Sequence, residues 1–194
     1  MNRSLVYYGA LSAYGPSIPL AASGIVMKIN GIVFSVIIGL NQGMQPLIGF
    51  NYGAKQYKRV KSTYGLVICC ELVITLIGVF VFQTFPSYVL SLFGNKDDGL
   101  YMEFSVKFMR TFLLLFPLGG IHIISSNFFA AIGKPIKGVF LSLTRQVIFF
   151  IPTILILPLF FGLNGTMYAG PTCDFLAFFI VLIFISREMR NMKN

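Results

Sequence analysis

The feature that most constrains the fold of this chain is a series of long apolar runs separated by short basic or polar turns. About 20 apolar residues are enough to cross a lipid bilayer as a helix. Five runs reach about that length, each with at most one Asp, Glu, Lys or Arg, and they are Leu20–Pro46, Tyr64–Phe85, Thr111–Ile132, Val139–Phe161 and Met167–Ile185. The sequence therefore predicts an all-α integral membrane protein with five complete spans.

Composition excludes most other classes of protein. The chain is 56% hydrophobic and 11% charged, whereas a soluble globular domain has about 25% charged residues. Its net charge of +9 comes from clusters between apolar runs, which is typical of membrane topology and not of a nucleic-acid surface. We expect membrane lipids, and no nucleic acid, as its partners. With no phosphate loop, no Cys/His metal spacing and a single His, the sequence predicts no enzyme, cofactor or metal site.

Prolines and polar stretches predict where the spans end. Leu5–Ala13 is too short to cross a bilayer, so residues 1–19 are interpreted as the remnant of a preceding helix and its connection. Residues 20–186 form the predicted bundle, and residues 187–194 form a basic cytoplasmic tail. A chain that opens with half a span is expected to be the C-terminal piece of a longer protein.

Four boundaries inside the bundle follow from the same pattern. Pro86–Leu100 is predicted to be a polar connection, and Tyr101–Arg110 an amphipathic lead-in to the third span. Pro117–Gly120 is expected to break that span, and Leu163–Thr166 to form a tight polar turn.

The distribution of Lys and Arg predicts the orientation of the spans. Nine fall on one side: Lys55, Lys58, Arg59, Lys61, Lys134, Lys137, Arg187, Arg190 and Lys193. Four fall on or near the other side: Arg3, Lys96, Lys107 and Arg110. Because cytoplasmic loops are enriched in Lys and Arg, the loop after the first span, the turn at Gly133 and the C-terminus are predicted to be cytoplasmic.

Ile38–Lys61 combines glycines, amides and a proline before a basic loop. Pro46 is expected to end the first span, with Asn51 and Tyr52 in the turn that follows. Amides just before a membrane exit suit either a polar cavity or contacts between helices. Three amides are therefore candidate substrate-cavity residues, with both interpretations open: Asn41, Gln42 and Gln45.

This stretch also carries a family resemblance. The segment GLNQGMQPLIGFNYGAK resembles the end of the eighth helix of multidrug and toxic compound extrusion (MATE) transporters, in the multidrug-resistance efflux subgroup of bacterial members. Four further segments fit the same family in the same order: Asn2–Gly9, Phe116–Pro135, Leu141–Gly165 and Gly170–Phe178. The resemblance covers nearly the whole chain.

The resemblance implies two bundles of six helices around a cavity that opens alternately to each side. Substrates in the family are typically bulky organic cations, exported against an inward flow of H⁺ or Na⁺. This chain would supply the end of helix seven and helices eight to twelve. Around Gly119–Ser126, where some sodium-coupled members carry an acid in helix ten, this chain has His122 and no carboxylate. Their cation site is therefore not carried over.

Arg145 and Asp174 are the most informative charges. At about 1.5 Å per residue, Arg145 lies roughly 12 Å into its span from Gly138, and Asp174 lies roughly 13 Å into its span from Gly165 on the opposite side. A lone charge at the midplane costs at least about 2.5–3.5 kcal/mol, so we expect the two to pair or to face a polar cavity. A structural ion pair and a cavity-lining role both remain open.

Glu71 and His122 complete the candidate set. Glu71 is the only acid of the second span and is either a neutral acid bonded to a neighbouring helix or a proton carrier. His122 is either a hydrogen-bonded core residue or a proton relay. The candidate ion-coupling residues are therefore Glu71, His122 and Asp174, and His122, Arg145 and Asp174 join the amides as cavity candidates.

The function expected from these features is that of the C-terminal portion of a cation-coupled multidrug efflux antiporter in the bacterial cell membrane. A truncated or split chain of this kind is expected to be inactive alone and to need a separate N-terminal half. Two alternatives remain. One is a fragment of a lipid-linked oligosaccharide flippase, and the other is a small structural membrane subunit that pairs with such a half.

Overall fold

The apolar runs of the sequence become helices that join through very short turns. The computed structural model describes residues 1–93 and 99–192, and those ranges contain helices and turns but no strand. The helices are α1 (Asn2–Ala10), α2 (Ser17–Gly53), α3 (Tyr57–Thr84), α4 (Pro86–Ser91), α5 (Gly99–Phe112), α6 (Phe116–Ala131), α7 (Pro135–Leu143), a π-helical segment (Thr144–Phe150), α8 (Ile151–Phe161) and α9 (Leu163–Asn191).

These helices give the predicted number of spans. Within the described residues, α2, α3, the continuous helix Pro135–Phe161 and α9 are each long and apolar enough to cross a membrane. Helices α5 and α6 pass the same test together and meet at a bend of 48°, which gives five spans when this bent pair is counted as one. The predicted all-α membrane fold, with five spans and a partial helix before them, is confirmed.

Helix α6 lies at the centre of the bundle. It packs against α2, α3, α7 and α9, and most of its side chains are buried. Small residues on several faces, among them Gly119, Gly120, Ser125 and Ser126, let neighbouring helices approach closely, which is the usual packing device inside membranes. Two acidic side chains of neighbouring helices reach α6 at these glycines.

The structure corrects the predicted end of the first span. Helix α2 runs on through Pro46 to Gly53, so Pro46 does not end it, and Asn51 and Tyr52 are helical. Proline removes one backbone hydrogen bond but is tolerated inside membrane helices. The turn follows at Lys55, which has a positive φ of 58°.

Three other predicted boundaries were wrong. The third span breaks before Phe116, ahead of the expected Pro117–Gly120, because Pro117 fits the first turn of a new helix, where no amide donor is needed. Pro86–Ser91 is a short helix. Leu163–Thr166 lies inside α9, and Gly162, with a φ of 56°, makes the turn alone.

Helix α9 continues through Asn191, so the first five residues of the predicted tail are helical. Lys96 and the rest of 94–98 in the predicted connection, like Lys193 and Asn194 in the predicted tail, lie outside the described residues.

Candidate functional site

Arg145 and Asp174 form an ion pair inside the bundle. Arg145 donates from Nε to Asp174 Oδ1 over 2.8 Å, and its Nη2 lies 2.7 Å from the same oxygen. The Asp174 side chain is 9% exposed and that of Arg145 is 24% exposed. Pairing was one of the two outcomes predicted for these charges, and it satisfies both of them at a depth where neither is stable alone.

Local backbone features place the pair. Arg145 belongs to the π-helical segment, a wider turn that often occurs at functional sites. The backbone oxygen of Arg145 accepts a hydrogen bond from Cys173 Sγ at 3.2 Å, which ties this segment to α9. On α6, a Cβ at Gly119 would lie 3.3 Å from Asp174 Oδ2, so the glycine makes room for the carboxylate.

The pair borders a cavity of about 230 Å³. Four phenylalanines, one methionine and four polar or charged side chains dominate its wall. The lining residues are Met27, Asn30, Phe34, Phe112, Leu113, Phe116, Arg145, Gln146, Phe150, Gly170 and Asp174. Asn30 Oδ1 is buried and has no hydrogen-bond partner within the described ranges. The cavity therefore offers aromatic faces, amide groups and one carboxylate.

The amide candidates do not line this cavity. Asn41 is 3% exposed, and its Oδ1 has no hydrogen-bond partner in the part of the chain that the structure describes. Gln42 and Gln45 are exposed on the outer surface of α2. Of the candidate cavity residues, only Arg145 and Asp174 come together here.

His122 lies in a separate place. Its Nε2 is 3.0 Å from the backbone oxygen of Leu141 on α7, and the side chain is buried. It borders a second cavity of about 290 Å³ between α6 and α7, with Ser126, Asn127 and Ser142 among the lining residues. This geometry is that of a hydrogen-bonded core histidine.

Glu71 is sealed between α3 and α6. Its side chain is fully buried, and neither carboxyl oxygen has a hydrogen-bond partner among residues 1–93 and 99–192. The expected bond to a neighbouring helix is therefore absent from this structure. Two turns away, Tyr64 Oη and Ser125 Oγ lie 2.8 Å apart across the same pair of helices.

Sequence reasoning missed Glu188. Its side chain is 1% exposed and contacts Lys134 of the turn before α7 and Lys137 in the first turn of α7, the latter at 2.8 Å. Burial alone raises the pKa of Glu188, but the hydrogen bonds and charges of the two lysines outweigh it and hold that pKa below its usual value. The sequence signal for this contact was a single acidic residue, Glu188, in an otherwise basic segment.

These contacts bring three basic segments to one end of the bundle. Glu188 of α9 holds the turn at Lys134, and a Cβ at Gly49, near the end of α2, would lie 3.4 Å from the Ala131 oxygen. A bundle of membrane-length helices around an internal polar cavity defines a multi-pass membrane protein.

Comparison with known proteins gives its family. The MatE family model matches residues 4–156, and the chain belongs to this family of MATE transporters. It is 29% identical over 176 residues to the multidrug export protein MepA of Staphylococcus haemolyticus, covering 88% of this chain and 38% of that protein.

Solved structures agree with this assignment. The MATE multidrug transporter DinF-BH is 32% identical, with a TM-score of 0.81 over 98% of this chain and 41% of that one. An outward-facing multidrug resistance MATE transporter of the MOP superfamily shares the fold with a TM-score of 0.86 at 17% identity, over 98% and 42%. The chain thus spans about 40% of the length of the relatives that it matches.

Proposed function

We propose that this chain forms the C-terminal bundle of a multidrug efflux antiporter, which exports organic cations in exchange for H⁺ or Na⁺ across the bacterial cell membrane. The observation that carries the proposal is the cavity at Asp174. Aromatic faces and a carboxylate are the groups that recognise an apolar cation. A cationic substrate competes with Arg145 for Asp174, which gives the pair a role in binding as well as in packing.

The size of the cavity favours a second bundle of helices as partner. Pockets for drug-sized ligands measure about 300–1,000 Å³, and this cavity measures about 230 Å³. The exposed amides Gln42 and Gln45 of α2 point to the same partner, since amides are costly against lipid. Gly39 and Gly43 on that helix have nothing within 4 Å of their Cβ positions, which leaves room for close packing.

The charge of the cavity disfavours the flippase alternative. A site for a lipid-linked oligosaccharide needs free positive charge for the phosphates. Arg145 is the one basic side chain among the lining residues of the cavity, and Asp174 neutralises it. The Lys and Arg bias supports a cytoplasmic C-terminus in this proposal.

The test is dye efflux from bacteria that lack their own efflux pumps. Cells would express this chain alone, the N-terminal half of the Staphylococcus haemolyticus MepA alone, or both together. We expect lower accumulation of a cationic dye only with both, and restored accumulation when Asp174→Asn is introduced. The exposed Lys28→Ala variant serves as the control that keeps efflux. If the two halves copurify from the membrane as a complex and dye accumulation is nevertheless unchanged, the proposal is contradicted.

A further inference from the structure

Glu71 sits in a polar seam that the cavity at Asp174 does not include. The seam lies between α3 and α6 and contains the Glu71 carboxyl group, Thr75 and the Tyr64–Ser125 pair. The Thr75 hydroxyl donates to the Glu71 backbone oxygen at 2.8 Å. Glu71 and Thr75 are fully buried.

The seam is built around this carboxyl group. A Cβ at Gly120 of α6 would lie 2.7 Å from Glu71 Cδ and closer still to Oε1, so only glycine admits the side chain. Inside a membrane, such a close approach uses the space that a missing side chain leaves. The contact encloses the acid and excludes the water that would otherwise solvate a charge.

A third buried oxygen lies at the same depth on α2. A Cβ at Gly78 of α3 would lie 4.0 Å from Val33 Cγ1 of α2, which fixes the register of these antiparallel helices. Asn41 lies eight residues after Val33 on α2, and Glu71 lies seven residues before Gly78 on α3. Because the two helices are antiparallel, both steps run in the same direction along the bundle. The two levels differ by about one residue, or ~1.5 Å. Asn41 Oδ1, like both Glu71 oxygens, has no hydrogen-bond partner among the described residues.

No cation of the described helices faces Glu71. On α6, the residue opposite is Gly120, and His122 points to Leu141 on α7. On α2 the residue at the same level is Asn41, which is uncharged, and α4 carries no charged residue. The Arg110 backbone of α5 contacts Gln83, twelve residues or about 18 Å along α3 from Glu71.

On its own helix, Glu71 has Cys70 beside it and Tyr64 two turns away, and Tyr64 is bonded to Ser125. An ionised carboxylate in such surroundings has neither water nor a counter-charge, and its burial is far more costly than that of the neutral acid.

We propose that Glu71 is a proton-binding site of the membrane domain, and that its protonated form holds α3 against α6. Binding converts the carboxylate and one H⁺ into a neutral carboxylic acid. Loss of that proton leaves a bare charge, which is stabilised only when α3 separates from α6 and water enters. A role for this site in coupling H⁺ entry to export rests on the proposed transport function.

Infrared spectroscopy of the full chain in lipid vesicles tests the site without any transport assay. The chain has three glutamates, Glu71, Glu103 and Glu188; Glu103 is exposed and Glu188 is paired with lysines. We expect the unmodified chain to show the carbonyl band of a protonated carboxylic acid at neutral pH. The band should shift when the chain is labelled with ¹³C-glutamate. Glu71→Gln should remove it, and Glu103→Gln, the same change at an exposed acid, should keep it.

Hydrogen exchange tests the separation of the helices. At alkaline pH, amides of α3 and α6 near Glu71 and Gly120 should exchange several-fold faster in the unmodified chain than in Glu71→Gln, whose amide stays neutral. Equal rates would overturn the opening step. Absence of the protonated-glutamate band at neutral pH would overturn the proton site. Replacement of that band by a carboxylate band when Na⁺ is added at constant pH would also overturn it. A dye assay that fails while the band persists would contradict the transport function alone.

Discussion

Two adjacent glycines of α6 each lie against an acidic side chain of a different neighbouring helix, and the two acids have different surroundings. Gly119 faces Asp174 of α9, and Gly120 faces Glu71 of α3. Asp174 is held by Arg145 beside a cavity. Glu71 has no hydrogen-bond partner in the described ranges, and it does not line the cavity at Asp174 or the one at His122. One central helix thus separates an ion-paired site from a sealed one.

The difference shows two ways to keep a carboxyl group inside a membrane. Asp174 has a counter-charge and lies beside a cavity, whereas the protonated form proposed for Glu71 needs no counter-charge. The first arrangement suits exchange of one cation for another, and the second suits the binding of a proton. Changes at Arg145 and at the two glycines test this comparison, changes at Glu188 and His122 test contacts outside the two sites, and the expected effects decrease in the order given.

Removing Arg145 should have the largest effect, because it leaves Asp174 charged and unpaired. We expect Arg145→Ala to cost about 3–5 kcal/mol of folding free energy, as for other broken buried pairs. Unfolding in mixed detergent measures this cost. The double variant Arg145→Ala/Asp174→Ala should lose less than the single one, because it removes both charges. A single variant as stable as the unmodified chain would contradict the pairing.

Alanine at the two glycines compares the two sites directly. Gly120→Ala should cost about 1–3 kcal/mol, because its methyl group overlaps the sealed Glu71 carboxyl group. Gly119→Ala should cost less, since its methyl group would sit 3.3 Å from an acid that borders open space. Gly39→Ala, with nothing within 4 Å, is the neutral control. Equal losses at Gly119 and Gly120 would remove the distinction.

Glu188 supplies a pH-dependent contact outside the spans. Its pKa is lowered in the folded chain, so its contribution to stability is present above the usual pKa of 4.5 and is lost as the pH falls through the folded value. We expect Glu188→Gln to cost on the order of 1–2 kcal/mol at neutral pH, because both lysines are partly exposed and solvent weakens the pair.

Thermal unfolding against pH checks this prediction. The unmodified chain should lose stability below pH 4.5, and the variant should lose less over the same range. An identical loss in both would mean that the contact with Lys134 and Lys137 contributes nothing.

The smallest effect is expected at His122. His122→Ala removes one hydrogen bond to Leu141 and should cost about 0.5–1.5 kcal/mol. In the assay with both transporter halves, dye efflux should persist, because His122 lies away from the cavity at Asp174. Abolished efflux in a variant that inserts normally would restore the relay interpretation of this residue.

The sequence was sufficient to predict the all-α membrane fold, and it predicted that Arg145 and Asp174 would pair or face a polar cavity. The length of an apolar run and the depth of a charge within it are properties of single segments, and a charge at the midplane has few stable solutions. The glycine contacts of α6 were not predictable, because they depend on which helix lies on each side of it. The contact of Glu188 was hidden for a similar reason: its lysines are more than fifty residues away in a segment that looks like a simple basic turn.

Thiol labelling measures the contrast between the two sites most directly. In a chain whose three cysteines are replaced by alanine, Gln146→Cys places a thiol in the wall of the cavity, and Thr75→Cys places one in the seam beside Glu71. We expect a water-soluble thiol reagent to label Gln146→Cys readily and to leave Thr75→Cys unmodified at neutral pH. Equal labelling of both, or faster labelling of Thr75→Cys, would contradict an open site at Asp174 and a sealed one at Glu71.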